Sequence, residues 1–261
     1  MFFMKLTIVK VGGAVVEDEA QLALLLQGFK QIEGAKILVH GGGRRATKVA
    51  AALGIESRMV DGRRITDADM LEVVTMVYGG LVNKNIVARL QALGVDAIGL
   101  TGADMDVIRS HRRPLKNGID YGFVGDVDRV GADRLKTLVD AGLTPVLAPL
   151  THDGSGTMLN TNADTIASET ARAMAAVCDV TLVYCFEKPG VLANPDDDAS
   201  VIPVITRDSF KAYVVDGTIS GGMLPKIENA LAAVEAGVGK VVITKADSLG
   251  RADAGTVVRM A

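Results

Sequence analysis

A chain of 261 residues that is 49% hydrophobic and 23% charged has enough apolar side chain for one large core or two fused lobes, which excludes a disordered or fibrous protein. Its formal charge of −3 excludes a general positive field for nucleic acid or anionic lipid, so a small anionic ligand has to be met by a local cationic pocket. Aromatic residues make up 4% with no Trp, which gives nothing to a base-stacking surface.

Residues 6–11 are apolar and β-branched and stop at Gly12-Gly13, which predicts a buried strand and a tight turn. Residues 18–33 place Leu22, Leu25, Leu26, Phe29 and Ile32 at helical spacing. A second strand at 36–40 ends in Gly41-Gly42-Gly43, and a helix follows to about Leu53. This alternation predicts a mainly parallel sheet covered on both faces. Two helices are expected at about 67–78 and 80–93, then a strand near 95–100. Residues 104–130 set Pro114, Asn117-Gly118, Gly122 and Gly125 between short β-like runs and read as hairpins beside the main sheet. A helix near 131–141, a strand at 143–150, a helix near 163–177 and a strand at 179–184 resume the alternation. A polar loop at 187–200, helices near 207–215 and 224–236, and a strand at 240–244 follow. Cys178 and Cys185 are too few for a disulfide framework or structural zinc site and read as core residues of a reducing compartment. The N-terminus lacks a signal peptide's apolar run, and no stretch approaches the length of a membrane span, so a cytoplasmic location is expected.

Open α/β sheets bind ligands beyond the carboxyl ends of their strands. Two glycine clusters fall there, Lys10-Val11-Gly12-Gly13 and His40-Gly41-Gly42-Gly43. Glycine lets backbone N–H groups approach an anion, and a following helix adds its positive end, so the pair predicts a phosphate or carboxylate cradle. A Walker A loop is absent, since Gly239-Lys240 is followed by Val241. Gly41-x-Gly43-x-x-Ala46 with Asp61 also fits the looser dinucleotide fingerprint of an NAD(P)-dependent oxidoreductase, which leaves Lys10 and the C-terminal half unexplained. In Asn160-Thr161-Asn162-Ala163-Asp164, Asn162 reads plainly as a helix N-cap with Asp164 at the positive end. Gly221-Gly222-Met223-Leu224-Pro225-Lys226 opens a helix with a cation in its first turn, against the helix dipole, which suggests a partner anion. Asp61-Gly62-Arg63-Arg64-Ile65-Thr66 either grips a carboxylate in a bidentate pair or carries two solvated arginines.

These motifs, with Gly62-x-Arg64-Ile65-Thr66, occur in the order and spacing of the amino-acid kinase fold, and the chain most closely resembles the N-acetylglutamate kinase family. Tyr121-Gly122-Phe123-Val124-Gly125-Asp126-Val127 is similar to that family's central hairpin, and Gly255-Thr256 to its C-terminal end. The resemblance implies an α/β architecture, an αβα three-layer sandwich with an open, mainly parallel central sheet. It implies an acylglutamate-binding and dimerisation lobe at 1–150 and an ATP-binding lobe at 151–261 on one shared sheet. It further implies ATP with Mg²⁺ carried by the nucleotide, no metal ligands of the protein's own, and phosphorylation of the γ-carboxylate of N-acetyl-L-glutamate in arginine biosynthesis. By motif, Lys10 and Lys226 stabilise the transferring phosphoryl group and Asp164 orients them; Gly42, Gly43, Arg64 and Asn160 hold the acylglutamate. Gly12, Gly13, Phe186, Gly190, Ile219 and Ser220 fall to the phosphates and nucleotide. A glutamate side chain is ionised at neutral pH, with a reference pKa of about 4.3, so the nucleophile needs no general base. Carbamate, UMP and LysW-aminoadipate kinases share the fold, and a non-catalytic nucleotide sensor would not need both lysines.

The chain departs from the family pattern in four places. Cys185-Phe186-Glu187-Lys188-Pro189-Gly190 replaces a polar pair, and Phe186 either packs on adenine or joins the core. Gly102-Ala103-Asp104-Met105 stands for Gly-x-Asp-Gly, so that turn must differ. No helix is expected ahead of the first strand, which by resemblance implies a homodimer that free arginine does not inhibit. Arg44, Arg45 and Arg63 crowd the expected acyl side, where they either accept an N-succinyl carboxylate or remain surface charges.

Overall fold

The computed structural model describes residues 3–60, 62–221, 223–251 and 254–260. Asp61 of the dinucleotide pattern and Gly222 of the last glycine turn lie outside them. Among the described residues the main sheet has eight strands, in the order Val204–Ile205, Thr256–Val258, Lys240–Lys245, Asp179–Phe186, Lys5–Val11, Ala35–His40, Thr144–Leu147 and Ala97–Leu100. Every neighbouring pair is parallel except Lys240–Lys245 against Thr256–Val258. The chain builds outward on one side of Lys5–Val11 and then returns to build on the other. The order therefore reverses at the carboxyl end of that strand, which is where such sheets open a crevice.

A strand's side chains alternate between faces, and this assigns each lysine a neighbourhood. Leu6 and Ile8 pack into a core shared with Ile166, Ala167, Ile227 and Leu231, from the helices Ala163–Met174 and Met223–Glu235. Val9 and Val11 pack into the opposite core, with the helix Glu19–Gln31. Lys10 is in phase with Leu6 and Ile8, so it emerges on the side covered by the two helices that carry Asp164 and Lys226. Tyr184 and Phe186 occupy the same face of the adjacent strand, with Lys10 in register with Tyr184.

Several elements differ from expectation. The two helices predicted at 67–78 and 80–93 form one rod: Ala68–Val74 runs through a π-helical stretch, Thr75–Val82, into Asn83–Ala92. Gly79-Gly80 does not break it; a side chain on Gly79 would press on Leu150 at 3.3 Å, so the glycine serves close packing. The strand expected at 143–150 divides into Thr144–Leu147 and Leu150–His152. The second piece joins Met158–Asn160, Ile108–Arg112 and Gly125–Val130 in a separate four-stranded sheet, of which the last two strands are the hairpin expected within 104–130. Strands of two or three residues, such as Met158–Asn160 and Thr256–Val258, are too short to leave a periodic signal.

The turn after Gly102 takes a left-handed backbone without glycine, with φ 52° at Met105 and 51° at Asp106. Such a conformation costs about 1–3 kcal/mol per residue and needs support from its surroundings. Asp106 supplies it by pairing with Arg109 at 3.0 Å, Arg134 at 3.1 Å, His152 at 2.8 Å and Arg129. Burial pushes the Asp106 carboxyl upward, but Arg129, His152 and Arg109 together draw it well below the usual carboxylate range. Among the described residues no helix is long and apolar enough to cross a membrane.

Candidate active site

At the reversal point the two glycine turns lie back to back. A side chain on Gly13 would meet Gly42 N and Gly43 N at 3.5 Å, one on Gly41 would meet Gly13 N at 3.0 Å, and Gly41 N donates to Val11 O. Gly41 is the tight position, where a side chain would press on the facing backbone; one on Gly13 would make ordinary contact. Lys10, 7% exposed, places its ammonium 2.8 Å from Asp164 Oδ1 in a contact that lacks hydrogen-bond alignment and leaves that oxygen otherwise unbonded. Asn162 caps the helix by accepting from the Asp164 and Thr165 N–H groups, so the plain N-cap reading holds and also fixes Asp164.

Lys226 is exposed at the start of its helix, with its ammonium 4.1 Å from the centre of the Phe186 ring; that of Lys10 is 5.4 Å from the same centre. The two lysines, 216 positions apart in the numbering, therefore converge on one aromatic ring. Asp164, Tyr184, Phe186 and Lys226 line one small cavity.

One cleft, of about 180 Å³, is bounded by Lys10, Gly42, Gly43, Arg64, Asn160 and Asp164, and so collects every residue predicted for the acyl substrate. Arg64 is not solvated: it is 6% exposed, and its guanidinium donates to Gly43 O at 2.8 Å, to Thr47 Oγ1 at 2.9 Å and to Ser57 Oγ. Both hydrogens of its Nη2 are thereby engaged, so a two-bond fork onto a ligand carboxylate requires Gly43 or Thr47 to give way. Asn160, 8% exposed, donates to Thr66 Oγ1 at 2.9 Å. Tyr78, from the π-helical stretch, also lines this cleft, and a side chain on Gly42 would meet its ring at 2.8 Å. Burial raises the Tyr78 hydroxyl's pKa while neighbouring Arg64 opposes the rise. Sequence reasoning missed Tyr78, which hides in the helical period of an apolar face; its signal was a polar-tipped aromatic beside Gly79-Gly80.

Behind the glycines His40 is fully buried, its ring bonded to Gly41 O at 2.9 Å and to Asn83 Nδ2 at 3.1 Å. Asn83 also donates to Val146 O. An amide N–H aimed at Nε2 requires that nitrogen to accept, so Nδ1–H donates to Gly41 and the ring is neutral. Burial accordingly lowers the His40 pKa to about 4.

A second, larger cleft of about 530 Å³ opens on the other side of the same glycines and is bounded by Gly12, Gly13, Phe186, Gly190 and Lys226. Gly190 is further required by packing, since a side chain would meet Thr256 Oγ1 and Val201 Cγ1 at 2.8 Å. Cys185 is buried, and burial pushes its thiol up to about 12. Ile219 and Ser220 line neither cleft: Ile219 is 2% exposed in the core and Ser220 faces solvent. The arginine crowd disperses as well. Arg63 borders the smaller cleft, Arg44 the larger, where it lies 3.7 Å from Glu187, and Arg45 borders a separate depression beside Lys48 and Arg89.

Residues 5–245 match the model of the amino acid kinase family. The acetylglutamate kinase of Phocaeicola vulgatus is 65% identical over 255 residues, covering 98% of each chain. Among solved structures, smu.665 from Streptococcus mutans UA159 superposes with a TM-score of 0.76 at 28% identity, over 97% of this chain and 98% of that one. Giardia carbamate kinase superposes with a TM-score of 0.72 at 14% identity, over 98% and 99%, and so shares the fold. A full-length match of this kind removes the oxidoreductase reading of the Gly41 turn: the chain belongs to the amino acid kinase family and, within it, to the acetylglutamate kinase branch.

Proposed function

We propose that this protein transfers the γ-phosphoryl group of ATP to the side-chain carboxylate of N-acetyl-L-glutamate, giving an acyl phosphate, as in the second step of arginine biosynthesis. The observation that carries the reading is the meeting of Lys10, which lines the smaller cleft, and Lys226, which lines the larger, on one ring of the larger cleft. Residues 1–150 chiefly serve the acyl substrate and 151–261 the nucleotide, with Asn160 reaching back to the smaller cleft and Gly12 and Gly13 bordering the larger. Arg64 and Asn160 hold the acid, and the N–H groups of Gly42, Gly43, Gly12 and Gly13 face the anions. The attacking carboxylate is already ionised, so the site's task is alignment and compensation of charge spread over the transferring group. Asp164, engaged with Lys10, organises cations and takes no proton.

Mg²⁺ brought by the nucleotide would supply positive charge against the phosphates. The donor set fits a metal held mainly by phosphate and water: among the described residues Asp164 is the one acidic side chain on the smaller cleft, with Oδ1 lacking an aligned hydrogen bond. The protein acts as a homodimer, supported by Met76 and Leu81, apolar and exposed five residues apart on the π-helical stretch. Light scattering that reports a monomer or hexamer would overturn that assembly.

Arg63 at the smaller cleft favours a second acceptor, N-succinylglutamate, whose extra carboxylate it could meet. Hydroxylamine trapping of acyl phosphate, run with ATP–Mg²⁺ against N-acetylglutamate, N-succinylglutamate, glutamate and carbamate, tests both. Hydroxamate is expected from N-acetylglutamate. None from either acylglutamate, or a faster reaction with carbamate, would refute the assignment, and a strong acetyl preference would end the succinyl reading.

A further inference from the structure

Building on the role given above to the two lysines, we propose that Phe186 is a positioning residue for phosphoryl transfer, whose ring holds the Lys226 ammonium, and more loosely that of Lys10, where the phosphoryl group passes. A cation within about 6 Å of an aromatic centre is drawn to the negative face of the ring. The distances of 4.1 Å and 5.4 Å fall inside that range.

The ring is itself well anchored. Phe186 ends a strand paired on both sides, in register with Lys245, and its ring stacks on that of Tyr184 at 5.9 Å and 11° between planes. Tyr184 is 5% exposed. Lys226 has no such anchorage. It stands in the first turn of its helix, where the peptide dipoles disfavour a cation, and among the described residues no carboxylate lies within ion-pair distance of it. Left to itself, a long exposed lysine samples many rotamers, and each productive encounter requires it to be ordered.

The chemistry explains why a ring suits this position. A carboxylate would also hold the ammonium, but its negative charge would cancel the cation and repel the incoming phosphates. A ring carries no net charge, so it orients Lys226 and leaves the full positive charge and the N–H donors for the phosphoryl oxygens. Lys10 can tolerate Asp164 because Lys226, on the other side, remains uncancelled. With Tyr184 stacked along it and an ammonium over it, the ring is not placed as a platform for adenine.

The test replaces Phe186 with phenylalanines bearing one, two and three ring fluorines, which barely change its size while draining the negative face. kcat and both KM values are measured in the parent protein and in a Lys226→Ala background, with Phe186→Leu as the limit. kcat is expected to fall stepwise, about tenfold at three fluorines and in Phe186→Leu, with both KM values within about twofold and, across the fluorinated series, the melting temperature unchanged. In Lys226→Ala the fluorine effect should shrink by at least half, because the ring acts through that lysine. A flat kcat series, a loss carried by the KM for ATP, or a fluorine effect that shrinks by less than half would each overturn the proposal. Normal turnover by Lys226→Ala alone would instead remove the lysine's assigned role, a result distinct from a flat series in an enzyme that needs Lys226.

Discussion

The two walls of the crevice are built on different physical terms. On the smaller cleft Arg64 and Asn160 are nearly buried, and their polar atoms are tied to Gly43, Thr47, Ser57 and Thr66. Hydrogen bonds to a buried charged group contribute about 1.5–3 kcal/mol each, and breaking one strands its partner. On the larger cleft Lys226 is exposed, Arg44 and Glu187 meet at 3.7 Å with 64% and 69% of their side chains in solvent, and Lys188 reaches Asp198 from the surface. Exposed pairs of that kind contribute about 0–1 kcal/mol. One wall is thus held in place before any ligand arrives, and Arg64 forks onto an acid only when Gly43 or Thr47 lets go, while the other can rearrange freely around a ligand that must enter and leave at every turnover.

If that contrast holds, the largest single-residue effect belongs to the loose wall and should touch chemistry without touching the fold. Lys226→Ala is expected to lower kcat on the order of 10²–10³-fold, the scale for removing one charge-stabilising donor, with a melting temperature within about 2 °C of the parent. Steady-state kinetics beside calorimetry would check it, and a folding defect of similar weight would place Lys226 on the set wall after all.

The set wall should show itself next, in stability against pH. His40 is neutral and fully buried with a pKa of about 4, against an ordinary value of 6.5. Between those values the unfolded chain takes up a proton that the folded chain refuses, so the stability this group contributes is complete above pH 6.5 and lost as pH falls toward 4. The full loss is roughly 3 kcal/mol. Urea midpoints of the parent should drop over that window, while those of His40→Gln, lower throughout, should be flatter. Parallel curves would show that His40 is not responsible.

What could be read from the sequence follows the same division. Lys10, the glycine turns and Asp164 sit at ends of strong periodic elements, where strand phase and helix capping are local rules, and the structure places them together. The link between Arg64 and Gly43, or between Asn160 and Thr66, spans distant positions and leaves no local trace. Tyr78 was masked by the apolar period of its helix. Ile219 and Ser220 came by resemblance, with no chemistry of their own to place them, and the structure puts neither on a cleft. The single rod from Ala68 to Ala92 was missed because paired glycines ordinarily end helices, and here close packing against Leu150 overrides that tendency.

Arg64→Lys sharpens the comparison at the substrate. A lysine keeps the charge but cannot reach Gly43, Thr47 and Ser57 at once, so the pre-set geometry is lost. The KM for the acylated acid is expected to rise about 10- to 100-fold, while that for ATP stays within about twofold. Equal losses for both substrates would mean that the two walls are one mechanical unit.

The smallest effect is the most discriminating, because it asks whether contact across the larger cleft does anything at all. Arg44 rises from the first turn of the helix Gly43–Ala52 and Glu187 follows the strand Asp179–Phe186, so their pair joins two elements that border the larger cleft. At 3.7 Å and mostly in solvent it should contribute less than about 0.5 kcal/mol, so Glu187→Gln should change kcat and both KM values by no more than about twofold at 0.15 M salt. A larger change, if it faded with added salt, would make the bridge a working clasp on the nucleotide and the second wall less adaptable than its exposure implies.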